Sequence, residues 1–112
     1  MINYHNKTFR STNTSPGSDV NKETVFIYRQ DENIVTASYA GGNVISGHLI
    51  AIADDNGNLD MRYHHINTSN ELKTGQCKSR PRTAENGKII LDESWQWTCG
   101  DMGTGQSVLE EI

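Results

Sequence analysis

The chain has 112 residues, of which 34 % are hydrophobic and 21 % are charged, enough for one domain over residues 1–112. Its net charge of −4 is spread evenly, because residues 1–56 have four basic and six acidic side chains and residues 57–112 have six and eight. Without a basic half or an apolar run of about 18 residues, the sequence argues against a nucleic-acid partner and a membrane span.

Short runs rich in β-branched and aromatic residues alternate with turn residues along the chain. Gly41-Gly42 lies between two such runs and is typical of a two-residue hairpin turn. Residues 11–21, rich in Ser, Thr and Asn and containing Pro16-Gly17, are predicted to form a polar loop. The runs predict seven strands, or eight if residues 8–12 form a further one. The seven are residues 23–30, 33–40, 43–53, 58–67, 71–80, 88–98 and 106–112.

No stretch shows the spacing of an amphipathic helix, so the predicted fold class is all-β. Short turns between consecutive strands favour antiparallel neighbours. A sheet of seven or eight strands in so small a chain removes its exposed edges by closing, so we expect an up-and-down β-barrel of the calycin kind, lipocalin-like or avidin-like. The alternative is a two-sheet sandwich, which needs longer connections.

Side-chain alternation in two strands predicts which residues face the barrel interior. The inward rows are Ile89, Leu91, Glu93, Trp95 and Trp97 in run 88–98, and Leu59, Met61, Tyr63 and His65 in run 58–67. In runs 23–30 and 43–53 both rows contain apolar residues, so the pattern leaves their inward faces open.

Glu93 is the sharpest single feature, because it is a carboxylate between Leu91 and Trp95 in an inward row. Loss of hydration there favours the protonated acid. Glu93 is therefore the candidate catalytic acid/base, or the polar anchor of a ligand pocket. The structural alternatives are a carboxylate paired with a neighbouring strand, or one that a bulge turns out to solvent.

Aromatic residues are candidates for the wall of a ligand cavity. Trp95, Trp97 and Tyr63 would form the wall, His65 would be a second polar anchor, and Tyr28 is a weaker candidate. The alternative is that these rings simply fill the barrel as core.

Arg62 is included among the ligand-binding candidates although alternation places it outside, beside Asp60, because a bulge in run 58–67 would swap its face. His64 and His65 are strand neighbours that point to opposite faces, so they do not chelate one ion. No metal site and no cofactor are predicted.

The two cysteines, Cys77 and Cys99, fit no zinc spacing and are too few for a disulfide scaffold. Because the N-terminal residues also lack the apolar run of a secretory signal, we expect free thiols and a cytoplasmic location. The sequence shows no distinctive patch that would set an oligomeric state.

Three stretches resemble a family of small bacterial proteins labelled N-acetylglutamate synthase-like: SGHLIAIADDNGNLDMRYHHIN (46–67), LKTGQCKSRP (72–81) and GKIILDESWQWTCGDMGTGQSVLEEI (87–112). The likeness runs from about Phe26 to the C-terminus and is most specific in the ESWQW segment. It implies a small calycin-like β-barrel whose activity is not established. Acetyl-CoA-dependent acyl transfer is not expected, since the sequence predicts neither a glycine-rich phosphate loop nor the helix that follows it.

The sequence therefore predicts a barrel that binds a small, partly apolar molecule in its lumen. One alternative is a lyase or isomerase that uses Glu93 as acid/base. The other is a protein-interaction module with a solid lumen, acting through its exterior or through the basic run at residues 78–82.

Overall fold

Eight antiparallel strands, joined in chain order, form a closed up-and-down barrel in the computed structural model, which describes residues 2–112. The strands are β1 Thr8–Thr14, β2 Val25–Asp31, β3 Ile34–Gly41, β4 Val44–Ala53, β5 Leu59–Asn67, β6 Leu72–Thr83, β7 Ile89–Trp97 and β8 Thr104–Glu111. Each strand pairs with the next one, and β8 pairs with β1 to close the cylinder. This confirms the predicted all-β barrel. Within residues 2–112, no helix has the length and apolar character needed to cross a membrane.

Burial alternates along the strands as the predicted rows require. In β7, Leu91, Trp95 and Trp97 are buried, whereas Ser94 is exposed. The structure also decides the inward faces of the two strands for which the sequence pattern was ambiguous. In β2 Phe26 points inward, and in β4 Leu49 points inward. A register shift between Val44 and Ser46 separates the start of β4 from the rest of that strand.

The polar loop predicted at residues 11–21 begins later than expected. Strand β1 continues to Thr14, and Ser11 is 1 % exposed on its inner face. Thr14 shares a hydrogen bond of 2.9 Å with Ser107 on β8. The polar composition of residues 11–14 wrongly predicted a loop, because the barrel interior accepts hydroxyl groups at these positions. The connection between β1 and β2 is therefore residues 15–24, which we call the mouth segment.

Strand β6 also runs past its predicted end, through Pro81 to Thr83. Pairing with β5 stops at Leu59, opposite Ser79, so the rest of β6 pairs only with β7. Proline is tolerated in such an edge segment because one side of it has no ladder to break. Strand β8 begins at Thr104, two residues before the predicted start at residue 106, so Gly105 lies within it.

One end of the barrel is plugged by residues that precede β1. Tyr4 is fully buried, and its hydroxyl donates to the carbonyl of Gly57 at 2.5 Å. Its ring packs against Phe9 and Tyr28, with ring centroids 6.4 and 5.9 Å away. We call the opposite end the mouth; it holds the mouth segment and the turns at residues 42–43, 68–71 and 98–103.

Three aromatic side chains lie over glycines directly opposite them on the next strand. The pairs are Tyr39 with Gly47, Tyr63 with Gly75, and Trp95 with Gly105. A Cβ atom built on Gly47 would lie only 2.5 Å from the Tyr39 ring, and atoms built on Gly75 and Gly105 would clash with their rings as well. The absence of a side chain thus lets each ring lie flat against the wall.

We expect Gly105→Ala to lower the free energy of unfolding by about 1–3 kcal/mol, because the new methyl group must displace the Trp95 ring. Urea unfolding followed by tryptophan fluorescence measures this. Gly103→Ala is the matched control, since its nearest neighbour is the movable Asp101 carboxylate at 3.1 Å. Equal stability of the two variants would contradict the role given to Gly105.

Candidate functional site

A small cavity lies in the mouth half of the lumen and has about 40 Å³ of free space. That is little more than the room one water molecule occupies. Its lining residues are Ser18, Val20, Phe26, Tyr39, Leu49, Met61, Tyr63, His65, Cys77, Glu93, Trp95, Trp97 and Ser107. Five of the seven sequence-predicted ligand-binding residues are among them: Tyr63, His65, Glu93, Trp95 and Trp97.

The predicted aromatic wall is formed by side chains in mutual contact. Trp97 packs against Trp95 and, edge-on, against Tyr63, with ring centroids 5.7 Å away in both cases. Trp95 Nε1 donates to Ser107 Oγ at 2.9 Å, which satisfies the polar end of a buried ring. The wall is therefore fixed by packing and by hydrogen bonds before any ligand is present.

Glu93 lies at the centre of β7 with its side chain in the lumen. Ser79 Oγ donates to Glu93 Oε2 at 2.5 Å, the one side-chain hydrogen bond that this carboxyl makes with residues 2–112. Burial raises the pKa of Glu93 to about 7, and the Ser79 hydrogen bond opposes that rise. Glu93 thus changes its charge near neutral pH.

The Glu93 charge raises the pKa of five further groups in the lumen. In each of them burial is the largest cause of a raised pKa, and the Glu93 carboxylate raises the pKa further: Tyr4, Tyr28, Tyr39, Tyr63 and Cys77. The four phenols and the thiol therefore stay neutral at physiological pH. Cys77 is a free, buried thiol without the thiolate character of a nucleophile.

His65 lies at the mouth on β5, 1 % exposed, and both of its ring nitrogens have partners. Nδ1 is 3.0 Å from the Tyr39 hydroxyl, and Nε2 is 2.9 Å from Asp19 Oδ2 in the mouth segment. Asn67 Nδ2 donates to the same Asp19 oxygen at 3.2 Å. Sequence reasoning missed Asp19 and Asn67, since neither belongs to a motif and Asp19 is 46 residues from its partner.

Two predicted ligand-binding residues do not line the cavity. Tyr28 belongs to the aromatic cluster at the plugged end, with its ring centroid 4.9 Å from that of Phe9. Arg62 is on the outer surface, where it donates to Asp60 Oδ1 at 2.8 Å. The bulge that would have turned Arg62 inward is not present, because β5 keeps an uninterrupted register with β6.

His64 and His65 point to opposite sides of the barrel wall, as alternation requires. On the outside His64 faces His48 of β4, with ring centroids 5.9 Å apart. Nowhere in residues 2–112 do three His, Cys, Asp or Glu side chains group so as to hold a metal ion.

Residues 2–112 match the family model described as avidin-like protein. The chain belongs to the avidin-like family. This agrees with the eight-stranded closed barrel and confirms the calycin-like resemblance, but it lends no support to the N-acetylglutamate synthase-like label. Searches of curated proteins and of solved structures found no significant match.

The partly buried Glu93 carboxyl of this avidin-like barrel makes its stability depend on pH. The ordinary pKa of 4.5 applies to the unfolded chain and about 7 to the folded one, so between these values only the folded state keeps the proton. The free energy of unfolding should therefore fall by up to about 3 kcal/mol as pH rises from 4.5 to 7.

Glu93→Gln should remove this component of the pH dependence while keeping an oxygen that accepts from Ser79. The free energy of unfolding is measured by urea unfolding at pH 4.5, 5.5, 6.5 and 7.5. The control is Glu85→Gln, because Glu85 is exposed. Identical pH profiles for wild type and Glu93→Gln would show that the carboxyl is not desolvated.

Proposed function

We propose that the barrel binds a small, partly apolar molecule in the mouth half of its lumen. Trp95, Trp97 and Tyr63 would contact the apolar part, and Glu93 and His65 would anchor polar atoms. The observation behind the proposal is Glu93 itself, a carboxyl held by one hydrogen bond among aromatic rings. Because an incompletely paired buried polar group costs free energy, a ligand that hydrogen-bonds Glu93 would recover part of that cost.

Unlike Glu93, two other polar groups in the lumen have no hydrogen-bond partner at all in the described part of the chain. The Tyr28 hydroxyl and Ser11 Oγ are buried and make no hydrogen bond within residues 2–112. Burial raises the pKa of Tyr28, and the Glu93 charge raises it further, so this hydroxyl stays protonated. A ligand group that hydrogen-bonds either hydroxyl would satisfy a polar atom that the protein leaves unpaired.

Membership of the avidin-like family supports a binding role, since barrels of this family bind small ligands such as biotin. Biotin is therefore the first defined probe to test by calorimetry.

Binding requires the cavity to grow, because pockets for small molecules usually measure about 300–1,000 Å³. The plugged end offers no entry, since Tyr4 is buried there and bonded to Gly57. At the mouth, Ser18 and Val20 of the mouth segment lie over the cavity. Displacement of this segment would open the lumen without unpairing any strand.

The test is native mass spectrometry of the protein purified from its own host. We expect wild type and the outer-surface variant Ile50→Ala to hold the same added small-molecule mass, and Trp97→Ala to lose at least nine-tenths of it, because Trp97 contacts both other rings of the wall. Wild type that holds no added mass and also fails to bind biotin would count against the proposal, and in favour of an interaction module.

A second candidate function is proton transfer, as in a lyase or isomerase. It is favoured by one observation, the pKa of Glu93 near 7, since a general acid/base works best with a pKa close to the working pH. Incubation of the recovered ligand with protein separates the two functions. A binder returns the ligand unchanged, whereas an enzyme converts it and Glu93→Gln does not.

A further inference from the structure

We infer that His48 and His64, on the outer surface of the barrel, bind a divalent transition-metal ion, and that this ion joins two copies of the chain. One copy provides two imidazole ligands, and the same two residues of a second copy complete a four-coordinate site. We call His48 and His64 the histidine pair. The pair lies outside the lumen, so the inference is independent of the proposed function.

The two histidines are neighbours across two antiparallel strands. His48 of β4 lies directly opposite His64 of β5, and their ring centroids are 5.9 Å apart with the ring planes inclined at 35°. Two imidazoles on one zinc ion, with Zn–N distances of about 2.0–2.1 Å, have their centroids about 5 Å apart. Small rotations of the two side chains therefore bring both rings onto one ion.

Both rings of the pair are accessible to an ion. The side chains of His48 and His64 are exposed. Within residues 2–112, the histidine ring nitrogens that form hydrogen bonds belong to His5 and His65, and the histidine that contacts an acid is His65. A metal ion at the pair therefore displaces no side-chain contact in the described part of the chain.

One chain does not complete the coordination of such an ion. Imidazole suits Zn²⁺, Cu²⁺ and Ni²⁺, and structural zinc sites almost always have four ligands in a tetrahedron. Within residues 2–112 no group of three His, Cys, Asp or Glu side chains can hold a metal ion. The next residues in the same outer row are Ser38 opposite His48 and Thr74 opposite His64. The remaining two ligands therefore come from outside the chain.

Exposed apolar side chains lie on both sides of the histidine pair along the strands. Towards the plugged end, Ile50 and Ile52 follow on β4, and Ile34 of β3 lies opposite Ile52. Towards the mouth, Ile66 of β5 lies opposite Leu72 of β6. These are five of the nine large apolar residues that are exposed within residues 2–112. A concentration of exposed apolar side chains of this kind marks an interaction surface.

A second copy of the chain matches this surface in ligands and in symmetry. The two ligands that are missing are the same in kind and number as the two that one chain provides. A twofold axis through the ion generates all four, and this is the commonest symmetry of soluble homo-oligomers. The same axis brings the apolar side chains beside the pair in one copy against those of the other, which removes them from water.

Net charge makes this association depend on the metal. Each chain has a net charge of −4, so two copies repel each other. On the shared face Arg62 and Asp60 neutralise each other through a hydrogen bond of 2.8 Å. A divalent cation between the copies reduces the repulsion and also supplies bonds to both. We therefore expect a monomer without metal and a dimer with it.

The first experiment measures assembly by sedimentation velocity, with zinc chloride as the probe. Protein freed of metal with EDTA should sediment as a monomer, and zinc should convert it into a dimer that saturates at one ion per two chains. His48→Ala and His64→Ala should each lose the dimer and bind zinc about tenfold more weakly or worse by calorimetry, because each removes one ligand per chain. His5→Ala is the matched control, since it removes another exposed histidine, and should behave as wild type.

Three results would overturn the inference. One is a dimer that forms equally well in EDTA and in zinc, and another is zinc bound at one ion per chain by a protein that stays monomeric. The third is a zinc-dependent dimer that persists in both His48→Ala and His64→Ala. If His64→Ala does not fold, His64→Gln takes its place and should lose the dimer in the same way.

The second experiment tests the apolar surface beside the pair. Leu72→Lys should weaken the zinc-dependent dimer about tenfold or more, because it places a like charge from each copy where the two copies meet. Ile112→Lys is the matched control, because Ile112 is also exposed but bonds to Thr8 at the end of β1, away from this surface. Equal dimer affinities of the two variants would show that the copies do not meet on this face.

Discussion

The pairing of β8 with β1 is the constraint on which the rest of this molecule depends. Without it the eight strands would form an open meander with two exposed edges and one apolar face in water. Closure removes both edges and makes every second side chain of each strand share one interior. Glu93 is brought into the lumen by this geometry, because it occupies an inward position between Leu91 and Trp95.

The two ends of the cylinder are sealed by different kinds of contact. Tyr4 closes one end by packing in an aromatic cluster and by donating to the carbonyl of Gly57. The mouth is covered by the mouth segment. Hydrogen bonds from His65 and Asn67 to Asp19 and from Trp97 Nε1 to Gly17 O hold this segment, and Val20 packs against the core. This difference gives the lumen a direction, with one end closed by aromatic packing and the other covered by a hydrogen-bonded connection.

Strand alternation was sufficient to predict the fold and most of the wall, since β5 and β7 each have one row that is clearly more apolar than the other. Alternation did not show which faces of β2 and β4 point inward, because both rows of each strand contain large apolar residues. In these strands the inward face is set by pairing with the neighbouring strands. The loop prediction for residues 11–14 was wrong because their polar composition was taken as a sign of a loop, although a strand over 8–12 had also been considered. The contact of Asp19 with His65 had no signal at all, since a single acid in a polar connection resembles any solvated residue.

The pairing of an aromatic ring with a glycine occurs in three of the four hairpins of the barrel and is missing from the fourth. The hairpins β3–β4, β5–β6 and β7–β8 each contribute one ring laid on one glycine, whereas in β1–β2 two bulky residues, Phe9 and Phe26, face each other instead. Three hairpins thus line the lumen with rings laid on glycines, and the fourth has the long connection of residues 15–24 over the mouth. Any widening of the interior without repacking of these rings has to come from the β1–β2 hairpin, so variation among barrels of this design should be concentrated there.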